Sequence, residues 1–133
     1  MRIVLDTNIF VASLITRGVC RDLVDHCIRR HNLLTSEFIL NEFREALVGK
    51  FGLAREQAEE ATSLPRSRME VVAPAALASP VSRDASDDLV LGTAIGGGAA
   101  CIVTGDNDLL VLKRLGSIDI LSPAEFPAYE AAK

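Results

Sequence analysis

Tryptophan is absent from the 133-residue sequence, and tyrosine occurs once, at Tyr129. So few rings exclude a platform of several stacking aromatics as the main device for binding nucleic acid. Bases are outnumbered, 14 Lys and Arg against 18 Asp and Glu, and the net charge of −4 argues against a passive nucleic-acid coat. The three cysteines, Cys20, Cys27 and Cys101, are odd in number and scattered, which is no disulfide framework and suits a reducing compartment. On one helix Cys20 and Cys27 stand about 10 Å apart, beyond the reach of a bridge. No apolar stretch nears the ~20 residues of a membrane helix. The opening run Ile3-Val4-Leu5 is too short for a secretory signal, so a soluble, cytoplasmic protein is expected.

What is present fits one globular domain over residues 1–133, because 49% hydrophobic residues suffice for a core at this length. Five short aliphatic runs recur: Ile3-Val4-Leu5, Leu33-Leu34-Thr35, Val71-Val72, Cys101-Ile102-Val103-Thr104 and Ile118-Asp119-Ile120-Leu121. Four of the five lack polar alternation, as strands covered on both faces do. Helical patterns fill the gaps at 9–31 (two helices broken near Gly18), 36–49, 53–64, 86–96 and 107–115. That alternation predicts an α/β sandwich with a mainly parallel sheet. Ser36 is expected to cap the third helix and Ser86 the fifth. Gly96-Gly97-Gly98 follows a helix and precedes a strand, the reverse of a phosphate-binding loop, and reads as a helix terminus. Residues 74–80, bounded by two prolines, read as a connection within the domain.

Charge is distributed unevenly. Residues 17–68 hold nine bases and eight acids, whereas residues 82–108 hold one base, Arg83, and five acids, Asp84, Asp87, Asp88, Asp106 and Asp108. The short stretch alone carries the chain's excess negative charge. Asp6 ends the first strand and Asp106 holds the equivalent place after the fourth, where open parallel sheets bind ligands. Each also suits a simpler role, Asp6 as a helix cap and Asp106 as a turn residue. Glu42 shares a helix face with Phe38, Ile39 and Ala46, so its charge is costly there unless it is paired, metal-bound, or reaches water over a packed stem. Asp87 lies beside Val90, Leu91 and Ala94 and points toward the sheet; Asp88 sits at the rim of that face. First-turn aspartates favouring the helix dipole are the alternative for both.

Four carboxylates from four elements thus aim at one end of a sheet. Two such charges 4 Å apart repel by about 4 kcal/mol at an effective dielectric of 20, so the cluster requires protons or cations. Oxygen-only donors favour Mg²⁺ or Mn²⁺ over zinc. His26 and His31 have no link to the cluster and read as surface residues.

Val4-Leu-Asp-Thr-Asn8, Leu40-Asn-Glu-Phe43, Arg83-Asp-Ala-Ser-Asp-Asp88 with Leu91-Gly-Thr-Ala94, and Ile102-Val-Thr-Gly-Asp-Asn-Asp-Leu109 resemble the motifs of the PIN domain. More narrowly they are similar to the VapC-type toxins of prokaryotic toxin–antitoxin pairs, in order and spacing over essentially the whole chain. The resemblance implies a PIN-like three-layer sandwich with a five-stranded sheet, and a metal-dependent endoribonuclease. Asp6, Glu42, Asp87 and Asp106 would be its catalytic and metal-binding carboxylates, with Asp108 a further metal position. Thr7, Asn8 and Thr104 would support them. Many relatives read Arg-Asp-Pro-Asp-Asp where this chain has Ala85 and Ser86, which leaves Asp84, Asp87 and Asp88 competing for the third ligand position. RNA as substrate, Mg²⁺ or Mn²⁺ as cofactor, a cognate antitoxin and a homodimer are the implied partners. The early helices, through Phe10, Leu14 and Ile15 or Leu23, Val24 and Cys27, are the candidate antitoxin surface, although core packing competes for most of them. Arg17, Arg21, Arg29, Arg30, Arg44 and Lys113 are the candidate bases for gripping RNA.

Three other readings stay open. A receiver-like or phosphatase domain would place paired acids after the first strand and a lysine after the fourth, and both are absent. A DNA flap nuclease is disfavoured by the short, insertion-free chain. A catalytically inactive PIN-like binding module, pairing with an antitoxin or an RNA complex, has against it the retention of all four carboxylates.

Overall fold

The aliphatic run at the start of the chain becomes a strand buried on both faces. Ile3, Val4 and Leu5 of β1 (Arg2–Leu5) expose no surface, as expected where helices cover both sides of a parallel sheet. The computed structural model describes residues 1–82 and 84–133. Arg83, which opens the third motif, lies outside the described residues. Along the chain follow α1 (Thr7–Ile15), α2 (Val19–Arg30), β2 (Asn32–Thr35), α3 (Glu37–Gly49), α4 (Arg55–Arg68), β3 (Glu70–Val71), α5 (Ala85–Gly97), β4 (Cys101–Val103), α6 (Asn107–Leu110), β5 (Arg114–Leu115), β6 (Ile118–Leu121) and α7 (Phe126–Ala131). The strands form one sheet in the order β3-β2-β1-β4-β6-β5. All pairings are parallel except β5 with β6. Among the described residues, no helix is long and apolar enough to cross a membrane.

The five-stranded expectation is corrected to six. Residues 107–115 do not form one helix, because α6 stops at Leu110 and β5 begins at Arg114. Leu115 pairs with Ile118 across a two-residue loop. Gly116 takes the first loop position at φ +60°, as a type II′ hairpin turn requires. The extra strand is short and sits at an edge, and Arg114 Nε pins it by donating to Asp119 Oδ1 at 3.0 Å.

Helix ends follow local chemistry. Ser36 Oγ accepts from the Ile39 N–H, as expected, at 3.4 Å. The cap of α5 is Asp84 rather than Ser86: Asp84 Oδ1 accepts from the Ser86 N–H at 2.8 Å, two residues earlier than the serine suggests. The fourth helix runs past Pro65 to Arg68, beyond the expected end at 64. Proline there forfeits a backbone bond, but the bidentate pairing of Arg66 with Glu37 of α3 anchors the final turn. Phe10 of α1 and Phe43 of α3 meet edge to face, their ring centroids 6.1 Å apart. This contact sets the two helices side by side at the carboxyl end of the sheet.

The connection at 74–80 lies against α5, and the Ala75 N–H donates to the Gly92 carbonyl at 2.8 Å. A Cβ on Gly92 would stand 2.5 Å from the Ala75 carbonyl oxygen, and one on Gly96 would meet the Ala73 carbonyl. These glycines therefore admit the strap that leads into the third motif. Gly92→Ala is expected to cost about 1–3 kcal/mol through overpacking, read as a lowered urea midpoint. An unchanged midpoint would mean that the strap is not held where it lies.

Candidate active site

The order of the sheet reverses between β1 and β4, so its switch point lies at their carboxyl ends, where ligands bind in such folds. Asp6 follows β1 there and is only 5% exposed. Its Oδ1 accepts from the Thr7 N–H at 2.7 Å, capping α1. Its Oδ2 accepts from the Thr104 hydroxyl at 2.8 Å and from the Asn8 amide at 3.4 Å. A carboxylate offers about four lone-pair sites, so one remains after these three donors. The capping role and a ligand role are thus compatible.

Asp106 follows β4 and caps α6, its Oδ1 accepting from the Asp108 N–H at 2.9 Å. Its own N–H donates to Thr104 Oγ1 at 3.0 Å. Thr104 therefore ties Asp106 to Asp6. Asn8 adds a second tie, accepting from the Gly105 N–H at 3.1 Å. On α3, Glu42 is half-buried, and its Oε1 accepts from the Thr7 hydroxyl at 3.1 Å. Asp87, 5% exposed, accepts from the Ser82 hydroxyl at 3.2 Å. Asp88 instead accepts from the Val81 and Ser82 N–H groups at 3.2 and 2.8 Å. Of the competing acids, Asp88 is committed to the loop, whereas Asp84 and Asp87 both line the cleft with Asp6, Glu42 and Asp106. Asp84 is the exposed cap of α5 at its rim, and Asp87 is the buried one. Asp87, Asp106 and Asp108 each bring an oxygen within 4.8 Å of the others.

Charge crowding shows in the acidities. The Asp87 carboxyl is pushed up to about 7, first by burial and then by the hydrogen bond and charge of Asp106. Burial also raises Asp6, outweighing the bonds from Thr104 and Thr7, and the charge of Asp106 adds to it. Burial raises Glu42 against its bond from Thr7, with Asp6 and Asp84 contributing repulsion. The N-termini of α1 and α5 start at this cluster and offset part of the repulsion through their dipoles. All the donors are oxygens, several are held by hydrogen bonds, and one keeps a proton near neutrality. That set fits a hard divalent cation, Mg²⁺ or Mn²⁺, better than zinc.

The carboxylates stand in a cleft of about 770 Å³. Val11, Ala12 and Ile15 of α1 form one apolar wall, and Ala46 of α3 faces the same space. None of the bases expected to grip RNA lines this cleft, and Arg44 is committed to Glu59 and Asn41. Lys50, at the end of α3, lines it instead. The missed signal was helical spacing, because Lys50 lies eight residues, about two turns, from Glu42. Of the early-helix residues, Phe10, Leu23 and Cys27 are core, whereas Leu14 and Ile15 are exposed.

The histidines depart from expectation. His31 is largely buried and, with His26, reaches Glu130 of α7: both Nε2 atoms lie on Glu130 Oε2, at 2.5 and 2.7 Å. The terminal ammonium donates to His31 Nδ1 at 3.0 Å. With that nitrogen accepting, His31 Nε2 carries the proton it gives to Glu130, so the network is satisfied as a clasp holding α7. The histidines hold the Glu130 carboxyl below its usual range. A depressed carboxyl contributes stability above its unfolded pKa and loses it as pH falls through the folded value. Glu130→Gln is expected to lower Tm by roughly 3–6 °C at pH 7 and by less at pH 3, which a pair of melts would show. An equal loss at both pH values would contradict the clasp.

Carboxylates from four elements, gathered at the switch point of a largely parallel sheet, define an α/β protein built around an acidic, cation-demanding cleft. The profile of the PIN domain family matches residues 2–108, and the chain belongs to that family. No curated protein matches the chain by sequence. Its fold is similar to solved structures of VapBC complexes. VapBC2 from Rickettsia felis, bound to a DNA fragment from the promoter, aligns at TM-score 0.65 and 17% identity over 92% of this chain and 98% of that one. VapBC-1 from nontypeable Haemophilus influenzae aligns at 0.65 and 19% identity, over 93% and 99%. DNA-bound VapBC from Salmonella typhimurium aligns at 0.64 and 22% identity, over 92% and 98%.

Proposed function

We propose that the protein is a metal-dependent endoribonuclease and the toxin of a toxin–antitoxin pair. The observation that carries this reading is the meeting of Asp6, Glu42, Asp87 and Asp106, from four separate elements, in one cleft. Membership of the PIN family and the likeness of the fold to VapBC structures support it. Asp6, Asp87 and Asp106, with Asp108 completing the shell, would hold Mg²⁺ or Mn²⁺. A divalent ion bound there supplies Lewis acidity to the scissile phosphate and acidifies a water. Thr104 and Asn8 keep Asp6 and the β4 end in register, so the ligand oxygens are arranged before substrate arrives. Glu42, held by Thr7, orients the attacking water and takes its proton. The water oxygen bonds to phosphorus and the P–O3′ bond breaks, giving a 5′-phosphate on one product. The O3′ alkoxide takes a proton from solvent to become the 3′-hydroxyl of the other, while Glu42 later returns its proton to solvent.

The exposed Leu14 of α1 and Leu64 of α4 flank an apolar groove that also includes Val24 and Ile28. This groove is the proposed seat of the antitoxin, and homodimerisation is the proposed resting state. The experiment that tests the function is incubation of the purified chain with matched RNA and DNA panels in Mg²⁺. Expected are RNA cuts bearing 5′-phosphates and intact DNA. An intact RNA panel together with tight binding of an antitoxin would support the inactive-module reading instead.

A further inference from the structure

A cluster of carboxylates repels the backbone it is meant to cut, so the cleft itself must supply some attraction. Lys50 is the one cation lining the cleft among the described residues. It is exposed and makes no ion pair or side-chain hydrogen bond there, whereas Arg2, Arg44, Arg55, Arg66 and Arg114 are all committed to carboxylates. Next to it, Phe51 lines the same cleft and is 39% exposed. Ile15, at the end of α1, is a further exposed apolar residue of the cleft lining. Along α3, Lys50 lies about 12 Å from Glu42, and Glu45 between them is paired with Arg55, so this end is set apart from the clustered carboxylates yet continuous with them. Water would leave Phe51 and Ile15 with no return for their exposure. A nucleotide offers both matching chemistries, a π-face for the ring and a phosphate for the ammonium.

We propose that Lys50 and Phe51 form a nucleotide subsite for single-stranded RNA, in which the Phe51 ring stacks on a base flanking the cut and Lys50 pairs with the neighbouring backbone phosphate. This inference rests on the ribonuclease reading and deepens it. One stacked ring and one cation are a modest grip, and such a site selects an unpaired strand, because a base within a duplex presents no free face. The net charge of −4 makes this local grip the more necessary.

The test is fluorescence anisotropy of labelled single-stranded RNA oligonucleotides in Mg²⁺, in an Asp6→Asn background that prevents turnover, over a series of KCl concentrations. Phe51→Leu is expected to weaken binding about tenfold, with Phe51→Trp restoring it. Lys50→Gln is expected to make the slope of log K against log [KCl] shallower by about 0.7, with Lys50→Arg retaining the slope. Melting curves of the four variants verify that each is folded. Variants that bind as the parent does would overturn the subsite while leaving the ribonuclease reading intact, and would leave this cleft end to a protein partner. No binding of any RNA by the Lys50- and Phe51-containing parent would overturn the subsite. No cutting of the RNA panel by wild-type protein would be the separate failure of the ribonuclease reading.

Discussion

Asp87→Asn is expected to raise Tm by roughly 5–10 °C at pH 8 without added metal, and to leave the protein unable to cut RNA. The sign follows from the acidity of Asp87, raised from 3.8 to about 7 in the fold. Between those values the folded chain holds a proton that the unfolded chain has released, so stability falls as pH rises through this window. Above pH 7 the full cost is present, on the order of 2–4 kcal/mol. Asparagine keeps the size and the bond from Ser82 but cannot be charged, so the gain should vanish near pH 4. Mg²⁺ adds a second sign, because a ligand that binds only the folded state stabilises it by mass action. It should raise the wild-type Tm and leave the variant nearly unmoved. Melts at pH 4 and pH 8, with and without Mg²⁺, check all of these signs. A variant less stable than wild type at pH 8 would mean that Asp87 is a structural carboxylate.

Asp106→Asn is expected to lower the rate of RNA cleavage by about 10²–10³-fold, the scale on which a lost electrostatic contact in a site is felt. Thr104→Val should cost roughly 10–100-fold, as is typical when the support of a metal ligand is removed. Valine fills the space of Thr104 but gives nothing to Asp6 Oδ2 and accepts nothing from the Asp106 N–H, bonds of 2.8 and 3.0 Å in the native fold. The loss should fall on kcat rather than on RNA affinity, since neither group is placed to hold the strand. Single-turnover rates and separate binding isotherms distinguish the two. A Thr104→Val variant as fast as wild type would show that the tie between the two strand ends does not position the carboxylates.

Much of the site was legible because strand ends and helix faces have fixed periods. Asp6 stands directly after a fully apolar run, and Glu42 interrupts an apolar helix face, so both were marked by residue type at a costly position. The choice between Asp87 and Asp88 rested on one helical step of 100°; Asp87 lines the cleft, whereas Asp88 accepts from the Val81 and Ser82 N–H groups. The fold's parallel core was equally plain in Ile3-Val4-Leu5 and Cys101-Ile102-Val103. The edges were not. Two-residue β5 has too few positions to show a period, and Arg114 and Leu115 lay inside what read as a helix. Nothing local in the sequence marks Glu130, because its histidine partners are 99 and 104 residues away and no pattern joins them. Lys50 was passed over for the more numerous arginines, since charge count says nothing about which base faces the cleft.

The measurement that bears most directly on the central claim is cleavage of a mixed RNA panel by wild-type protein and Asp6→Asn, each in Mg²⁺, Mn²⁺ and EDTA. Asparagine still caps α1, so the variant separates charge from fold. Cutting by wild type in either metal, none in EDTA, and none by the variant is the predicted result. Equal cutting in EDTA, or by the variant, would contradict a carboxylate-held metal as the source of the activity.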